Sequence, residues 1–197
     1  MIWLDHASNV TVVQWGVVIG ASLAAAIVDV RSRRIPNALT VPLAVTGLLY
    51  GLSSEGLGGL GQAVAACVLV ALPYVLLFLF VGGGAGDAKM MGAIGAWLGL
   101  DAGVVVLVAV AVTGGALGLL NLAAKRQLCA GLGRIGASFY VMMVALCSGR
   151  KGWELVKPDL EEPTKKTDVD QTAAMPYGPA IFIGVCIGAY LVHSWKG

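Results

Sequence analysis

Residues 63–84 read AVAACVLVALPYVLLFLFVGGG, a run of apolar and small side chains without a single charge. A helix needs about 20 such residues to cross the hydrocarbon core of a bilayer, so the run predicts a membrane-spanning helix. The composition of the whole chain also indicates a membrane protein. Of the 197 residues, 58% are hydrophobic and only 12% are charged, whereas a typical soluble domain has about 25% charged residues.

Further apolar segments predict an all-α, polytopic membrane protein of about six transmembrane helices. Four of these apolar segments are Val12–Val28, Ala38–Leu52, Leu60–Val81 and Tyr177–His193. The run from Met90 to Leu120 would be about 46 Å long as one helix, which exceeds a hydrocarbon core of about 30 Å. We therefore divide this run at Asp101 into a fourth and a fifth span.

The basic residues give the orientation of these spans. With six crossings and the amino terminus outside, every lysine and arginine except Lys196 faces the cytoplasm, as the positive-inside rule predicts. A single crossing by residues 90–120 would turn the later basic clusters outward, which disfavours that topology. The first nine residues include Asp5 and no lysine or arginine, so we expect the first span to be retained rather than removed as a signal peptide.

Two segments differ from plain crossings, although we treat residues 1–197 as a single membrane-embedded domain. Ile135–Cys147 is apolar but short and is flanked by Arg134 and Arg150, which predicts an additional interfacial or re-entrant helix. If it crosses, the carboxyl terminus lies on the other side. Residues 148–176 are polar and predict a cytoplasmic loop, which is either a plain linker or a holder for a partner.

Composition argues against several functional classes. A net charge of +2 is too small to indicate binding of nucleic acid. The four cysteines are far apart and form no Cys-x-x-Cys pair, so they indicate neither a zinc module nor a disulfide framework. We therefore expect no metal, no cofactor and no nucleic-acid partner.

Acidic residues at membrane depth are costly, so each is expected to have a partner or a function. Asp29 ends the first span, Asp87 follows the third span in Gly82–Lys89, and Asp101 lies at the opposite side. In the topology above, Asp29 and Asp87 reach the cytoplasmic face together. Two neighbouring carboxyl groups share one proton, so the charged member activates a water while the protonated member polarises a carbonyl. This pair predicts peptide hydrolysis.

Each acid also has a simpler interpretation. Asp29 is positioned to pair with Arg33 one helical turn later. Asp87 is positioned to cap the amino terminus of a helix that begins at Ala88. The glycines before Asp87 either form a flexible loop or let the backbone approach an extended substrate closely.

Three motifs, in order along the chain, resemble those of the type IV prepilin peptidase family. They are Asp29–Asn37, which ends in Ile-Pro-Asn, then Gly84–Lys89, which reads GAGDAK, and Met175–Ile181, which reads MPYGPAI. The Gly-x-Gly-Asp element is also shared with the presenilin-like aspartyl proteases. Its combination with Asp29 and the Ile-Pro-Asn run makes the resemblance specific.

The resemblance implies that Asp29 and Asp87 are the catalytic pair of an aspartic endopeptidase. The implied substrate is a pilin precursor whose short basic leader lies in the cytoplasm ahead of a hydrophobic helix. The implied location is the bacterial inner membrane, in contact with lipid, with the active site on the cytoplasmic side. The supporting or substrate-binding residues implied are Gly84, Gly86, Lys89, Pro36, Asn37, Pro176, Tyr177 and Gly178.

Some of these supporting roles have alternatives. Lys89 either positions Asp87 or is an interfacial lysine whose ammonium group reaches water. The stretch Pro176–Pro179 fixes the start of the last helix, since proline suits a first turn, or it contacts the substrate directly.

The chain departs from the longer family members, which carry a cysteine-rich cytoplasmic domain between early spans and also methylate the new amino terminus. It is more similar to the short peptidases of tight-adherence (Flp) pili. The alternatives are a peptidase of the same mechanism with another substrate, and a non-catalytic scaffold or transporter component. The near absence of polar side chains from the spans disfavours a solute pathway.

Overall fold

The computed structural model describes residues 12–81, 84–124 and 177–194, and all secondary structure in these ranges is α-helical. The helices are α1 (Val12–Ser32), α2 (Asn37–Val81), α3 (Ala85–Ala124) and α4 (Gly178–Ser194). The predicted all-α class is confirmed. The segment 135–147 and the loop 148–176 lie outside the described residues.

Contacts divide the chain into two compact units, Met1–Leu117 with Pro176–Gly197, and Gly118–Met175. The helix breaks at Gly56 and Gly99 and the described residues of the candidate site belong to the first unit. Within the described residues, three helical stretches are long and apolar enough to cross a membrane, namely Val12–Ser32, Asn37–Leu79 and Ala85–Asn121. Helix α4 is apolar but shorter. This composition agrees with a membrane-embedded protein.

Helix α2 is a helical hairpin rather than one straight rod. Its backbone leaves the helical conformation at Glu55 and at Gly56, where φ is 62° and ψ is −143°. The chain then turns back and brings Gly59 against Gly51. A Cβ atom placed on Gly59 would overlap the carbonyl oxygen of Gly51. In a straight helix these residues would be about 12 Å apart. We call the two halves α2a (residues 37–54) and α2b (residues 57–81).

Helix α3 turns back in the same way at Gly99, where φ is 73° and ψ is −175°. A Cβ atom on Gly103 would lie 3.6 Å from the Cα atom of Gly95, which a straight helix would hold about 12 Å away. We call the halves α3a (residues 85–98) and α3b (residues 100–124). The predicted division of this run is therefore seen, but it falls at Gly99 rather than at Asp101, because only glycine adopts this backbone conformation easily.

Substitution of Gly99 by alanine is expected to destabilise the folded protein by about 1–3 kcal/mol, because its φ and ψ angles lie in a region that is essentially restricted to glycine. The measurement is thermal unfolding of the purified protein in detergent. Gly115→Ala is the matched control, since among the described residues no atom lies within 4 Å of a Cβ atom placed there. Equal melting temperatures for the two variants would contradict the conformational role of Gly99.

The helices approach one another closely at glycines. Helix α4 packs along α1. It also meets α3b, where a Cβ atom on Gly184 would lie 2.6 Å from the Cα atom of Val110. Likewise a Cβ atom on Gly95 of α3a would lie 2.6 Å from the carbonyl oxygen of Ala66 in α2b. Small residues at helix interfaces allow this approach in membrane proteins, as the glycine-rich composition suggests.

The end of the unit that carries the breaks is polar and aromatic. Gln14 of α1 donates a hydrogen bond from Nε2 to the carbonyl oxygen of Trp97 at 2.6 Å. The Trp97 indole donates from Nε1 to the carbonyl oxygen of Leu43 at 2.9 Å and stacks on Tyr50 with ring centroids 5.3 Å apart. Asp101 lines a cavity of about 210 Å³ at this end.

Candidate active site

Asp29 is buried near the carboxyl end of α1, with 6% of its surface exposed. Its carboxylate oxygen Oδ2 accepts a hydrogen bond from the backbone N–H of Gly178 at 2.7 Å. Because Gly178 opens α4, this N–H belongs to the positive end of a helix dipole. The carboxylate of Asp29 therefore faces a backbone donor at the start of a helix, an arrangement that binds anionic groups in many proteins.

Position 178 requires glycine for this contact. A Cβ atom there would lie 2.8 Å from the Cβ atom of Asp29 and 2.9 Å from the Cα atom of Ala26. Both neighbours are held rigidly by α1, so a side chain at position 178 would push the two helices apart. Gly178, which the resemblance singled out, thus brings the start of α4 against α1.

The backbone after Asp29 ends α1. The N–H of Arg33 donates to the carbonyl oxygen of Asp29 at 2.7 Å, and Arg33 has a positive φ of 53°. This left-handed residue terminates the helix and leads into the short link to α2. The carboxylate of Asp29 accepts a hydrogen bond from another helix. A local pairing with Arg33 alone therefore does not explain why an acidic residue lies at this position.

Asp87 lies in the first turn of α3 and is half-buried. Its N–H donates to the carbonyl oxygen of Gly84 at 3.2 Å. Its carboxylate oxygen Oδ2 lies 2.6 Å from where a Cβ atom on Gly84 would stand, so the carboxyl group is folded back over that glycine. The expectation that Asp87 caps a helix beginning at Ala88 is wrong, because the helix begins at Ala85.

The two acids lie on separate helices, and Asp29 is close enough to Asp87 to act electrostatically on its carboxyl group. Asp87 in turn acts electrostatically on the phenol groups of Tyr74 and Tyr177. This cluster is the candidate active site. In the described ranges, no three His, Cys, Asp or Glu side chains are grouped in a way that would hold a metal ion.

Tyr74 is a member of this cluster that the sequence interpretation missed. It lies in α2b with 8% of its surface exposed, and its ring packs edge-on against Tyr177 with centroids 6.3 Å apart and an interplanar angle of 66°. The available signal was a tyrosine within an otherwise apolar span, since a phenol group buried at membrane depth usually finds a polar neighbour.

The remaining predicted residues that the structure describes lie in the link before α2 and in the first turns of α2 and α3. Lys89 is exposed and donates from Nζ to the Oδ1 atom of Asn37 at 2.9 Å. A Cβ atom on Gly86 would lie 3.1 Å from the Cβ atom of Ile35. The carbonyl oxygen of Pro36 accepts a hydrogen bond from the first turn of α2. The Ile-Pro-Asn link is thus packed against the first turn of α3, whereas Pro176 lies outside the described residues.

Lys89→Met is expected to reduce activity at this site less than tenfold, because it removes one exposed hydrogen bond whose net value is about 1 kcal/mol or less. The measurement is the initial rate of peptide hydrolysis in detergent. Asn37→Ala should produce the same small change, and the double variant should lose no more than either single variant. A loss as large as that of an aspartate variant would instead place Lys89 in the chemical step.

A family model described as that of the type IV leader peptidase family matches residues 16–119, which is more than half of the chain. The chain belongs to this family. The matched range of the leader peptidase family includes both acids, Asp29 and Asp87.

Curated relatives in this leader peptidase family are similar over part of their length. A prepilin leader peptidase/N-methyltransferase of Burkholderia pseudomallei is 33% identical over 106 residues, which cover 51% of this chain and 34% of the relative. A protein of the same name from Dickeya chrysanthemi is 37% identical over 90 residues, which cover 42% of this chain and 31% of the relative. The chain thus matches about a third of the length of these relatives. No solved structure matches it.

Proposed function

We propose that the chain is a prepilin endopeptidase that removes the leader from pilin precursors by a two-aspartate mechanism. The observation that carries this proposal is the hydrogen bond from the Gly178 N–H to the carboxylate of Asp29, which lies close enough to Asp87 on another helix for the two carboxyl groups to interact. Membership of the leader peptidase family and the names of the curated relatives support the choice of substrate.

The roles of the two acids follow from their different surroundings. Asp29, which accepts the Gly178 N–H, is the charged member and takes a proton from water as the water oxygen attacks the peptide carbonyl carbon. Asp87 holds the shared proton and donates it to the carbonyl oxygen, giving a neutral tetrahedral diol. Asp29 then protonates the departing nitrogen as the carbon–nitrogen bond breaks, and Asp87 recovers its proton from a diol hydroxyl.

We further propose six crossings, with α2a, α2b, α3a and α3b each counted as one. The breaks at Gly56 and Gly99 support this count, because they divide two helices that are too long for a single crossing. With the amino terminus outside, the acids lie at the cytoplasmic face of a bacterial inner membrane. This arrangement makes residues 1–197 one peptidase domain in contact with lipid, with a cytoplasmic loop at 148–176.

The proposed activity is leader removal without methylation. The names of the relatives include both a peptidase and a methyltransferase activity. In this chain the link from α1 to α2 is only the short stretch between Ser32 and Asn37. That link leaves no room for the cysteine-rich domain of the longer members, which favours the short tight-adherence type.

The test is co-expression with a pilin precursor in a bacterial strain that lacks its own leader peptidase. We expect a shorter pilin on a gel and, by mass spectrometry, an unmethylated new amino terminus. A precursor that stays full length, with the protein present in the membrane, would support the non-catalytic scaffold instead. A methylated product would overturn the assignment of a single activity.

A further inference from the structure

Two phenol side chains, Tyr74 and Tyr177, lie beside the acids. Tyr74 belongs to α2b and Tyr177 directly precedes α4, and their rings pack edge-on with centroids 6.3 Å apart. The residue that follows Tyr177 is Gly178, whose N–H donates to Asp29. Asp87 acts electrostatically on both phenol groups. The phenol pair is therefore part of the same cluster as the two acids.

The Tyr177 side chain is held against α3b. A Cβ atom on Gly114 would overlap the hydroxyl end of its ring and lie 2.7 Å from its Cε2 atom, so the ring occupies the space of a side chain at position 114. The backbone of Tyr177 is fixed as well, because its carbonyl oxygen accepts the N–H groups of Ala180 and Ile181 at 3.0 and 3.2 Å. Tyr177 is thus a rigid support on which the Tyr74 ring packs.

The hydroxyl group of Tyr74 is buried and has no hydrogen-bond partner in the part of the chain that the structure describes. A buried hydroxyl without a partner destabilises a fold, and a phenylalanine would keep the same ring without that penalty. Such groups are rare in native proteins, and a catalytic role is one reason for which they are kept. We therefore expect the Tyr74 hydroxyl to find its partner during the reaction rather than in the resting structure.

The proposed reaction creates a group in this cluster that needs a hydrogen-bond donor. When Asp87 gives its proton to the peptide carbonyl oxygen, its own carboxyl group becomes negatively charged in a half-buried place. Asp29 already has a donor in the Gly178 N–H. The Asp87 carboxyl group lies over Gly84 in the resting structure, and rotation about its Cα–Cβ bond redirects it. A phenol O–H is a suitable donor for the charged form.

We propose that Tyr74 is a positioning residue for Asp87, and that its hydroxyl donates a hydrogen bond to the Asp87 carboxylate once this group has lost its proton. Tyr74 keeps its own proton throughout, and Asp87 recovers its proton from the diol. The inference rests on the proposed two-aspartate function and adds a third polar side chain to it. Within the described ranges, the titratable groups that interact with Asp87 from other segments are Asp29, Tyr74 and Tyr177.

The test is Tyr74→Phe, which removes the hydroxyl and keeps the ring. The rate of precursor cleavage by the full chain in detergent is measured across pH. We expect the rate at neutral pH to fall about 5- to 20-fold. At high pH, activity is lost when the two acids lose their shared proton. Without the Tyr74 donor the charged form of Asp87 is less favoured, so this alkaline limb should move to higher pH by about 0.5–1 unit.

Tyr190→Phe is the matched control, because it makes the same chemical change on α4 at a side chain that is 72% exposed. It should leave the rate and the pH profile unchanged. The melting temperature gives a further readout, since loss of a buried hydroxyl without a partner does not destabilise a fold. Tyr74→Phe should therefore melt at the same temperature as the unsubstituted chain or higher, although it cleaves more slowly.

An alkaline limb that stays in place in Tyr74→Phe would overturn the proposal, whatever the rate. Failure of this variant to fold would overturn it too, because the hydroxyl would then have a partner in the resting fold. If Tyr177→Phe moves the limb and Tyr74→Phe does not, the donor is Tyr177 instead. If the unsubstituted chain cleaves the precursor and Tyr74→Phe matches it at every pH, the Tyr74 assignment fails alone. If the unsubstituted chain never cleaves, the peptidase function fails and this inference with it.

Discussion

Replacement of either Asp29 or Asp87 by asparagine is expected to slow leader removal by about 100- to 10,000-fold, the range typical of a lost general acid or base. Asparagine keeps the size of the side chain and part of its hydrogen bonding, but it neither accepts a proton from water nor donates one to a carbonyl oxygen at neutral pH. The two single variants and the double variant should be equally inactive, because the two carboxyl groups act as one unit. The measurement is the rate of precursor shortening on gels, with purified protein in detergent.

The matched control is Asp101→Asn, which makes the same chemical change at the opposite end of the unit, where Asp101 lines the polar cavity. This variant should cleave at the unsubstituted rate. Normal cleavage by Asp29→Asn or by Asp87→Asn would reject the two-aspartate mechanism, and equal losses at all three positions would point to a general defect in folding.

Gly178→Ala is expected to have the second-largest effect, a loss of about 10- to 100-fold in cleavage rate. The added Cβ atom would stand 2.8 Å from the Cβ atom of Asp29, so α4 must move and the 2.7 Å hydrogen bond to the carboxylate is lost. A hydrogen bond to a charged group is worth about 1.5–3 kcal/mol. The measurement is the cleavage rate together with the melting temperature in detergent.

Gly20→Ala in α1 is the control for this variant, because no atom in the part of the chain that the structure describes lies within 4 Å of a Cβ atom at position 20. It should retain both rate and stability. If Gly178→Ala lowers the melting temperature but leaves the cleavage rate unchanged, then the Gly178 N–H contributes to packing and not to the charge on Asp29.

The sequence predicted the features that depend on composition and on the order of helices. Long uncharged runs gave the all-α class, and alternation of chain direction placed Asp29 and Asp87 at one end and Asp101 at the other. This reasoning works because the bilayer allows few arrangements of the chain, so the end of one helix limits where the next can begin.

The same reasoning does not predict which residues contact one another between helices. A tyrosine in an apolar span is visible in the sequence, but its contact with the acids is not, because the face that Tyr74 occupies depends on how the helix is rotated. The predicted break lay at Asp101 rather than at Gly99, because a charged residue is visible in a sequence and a positive φ is not. The lack of a hydrogen-bond partner for the buried Thr40 hydroxyl among the described residues likewise depends on which neighbours surround it.

The bond from Gln14 to the carbonyl oxygen of Trp97 joins the helix that carries Asp29 to the helix that carries Asp87, at the end remote from both acids. Gln14 and Asp29 are separated by about 22 Å along α1. A rotation of α1 by about 5° around Gln14 would therefore displace Asp29 by about 2 Å. Small changes in the contact at Trp97 are thus expected to alter the distance between the two acids.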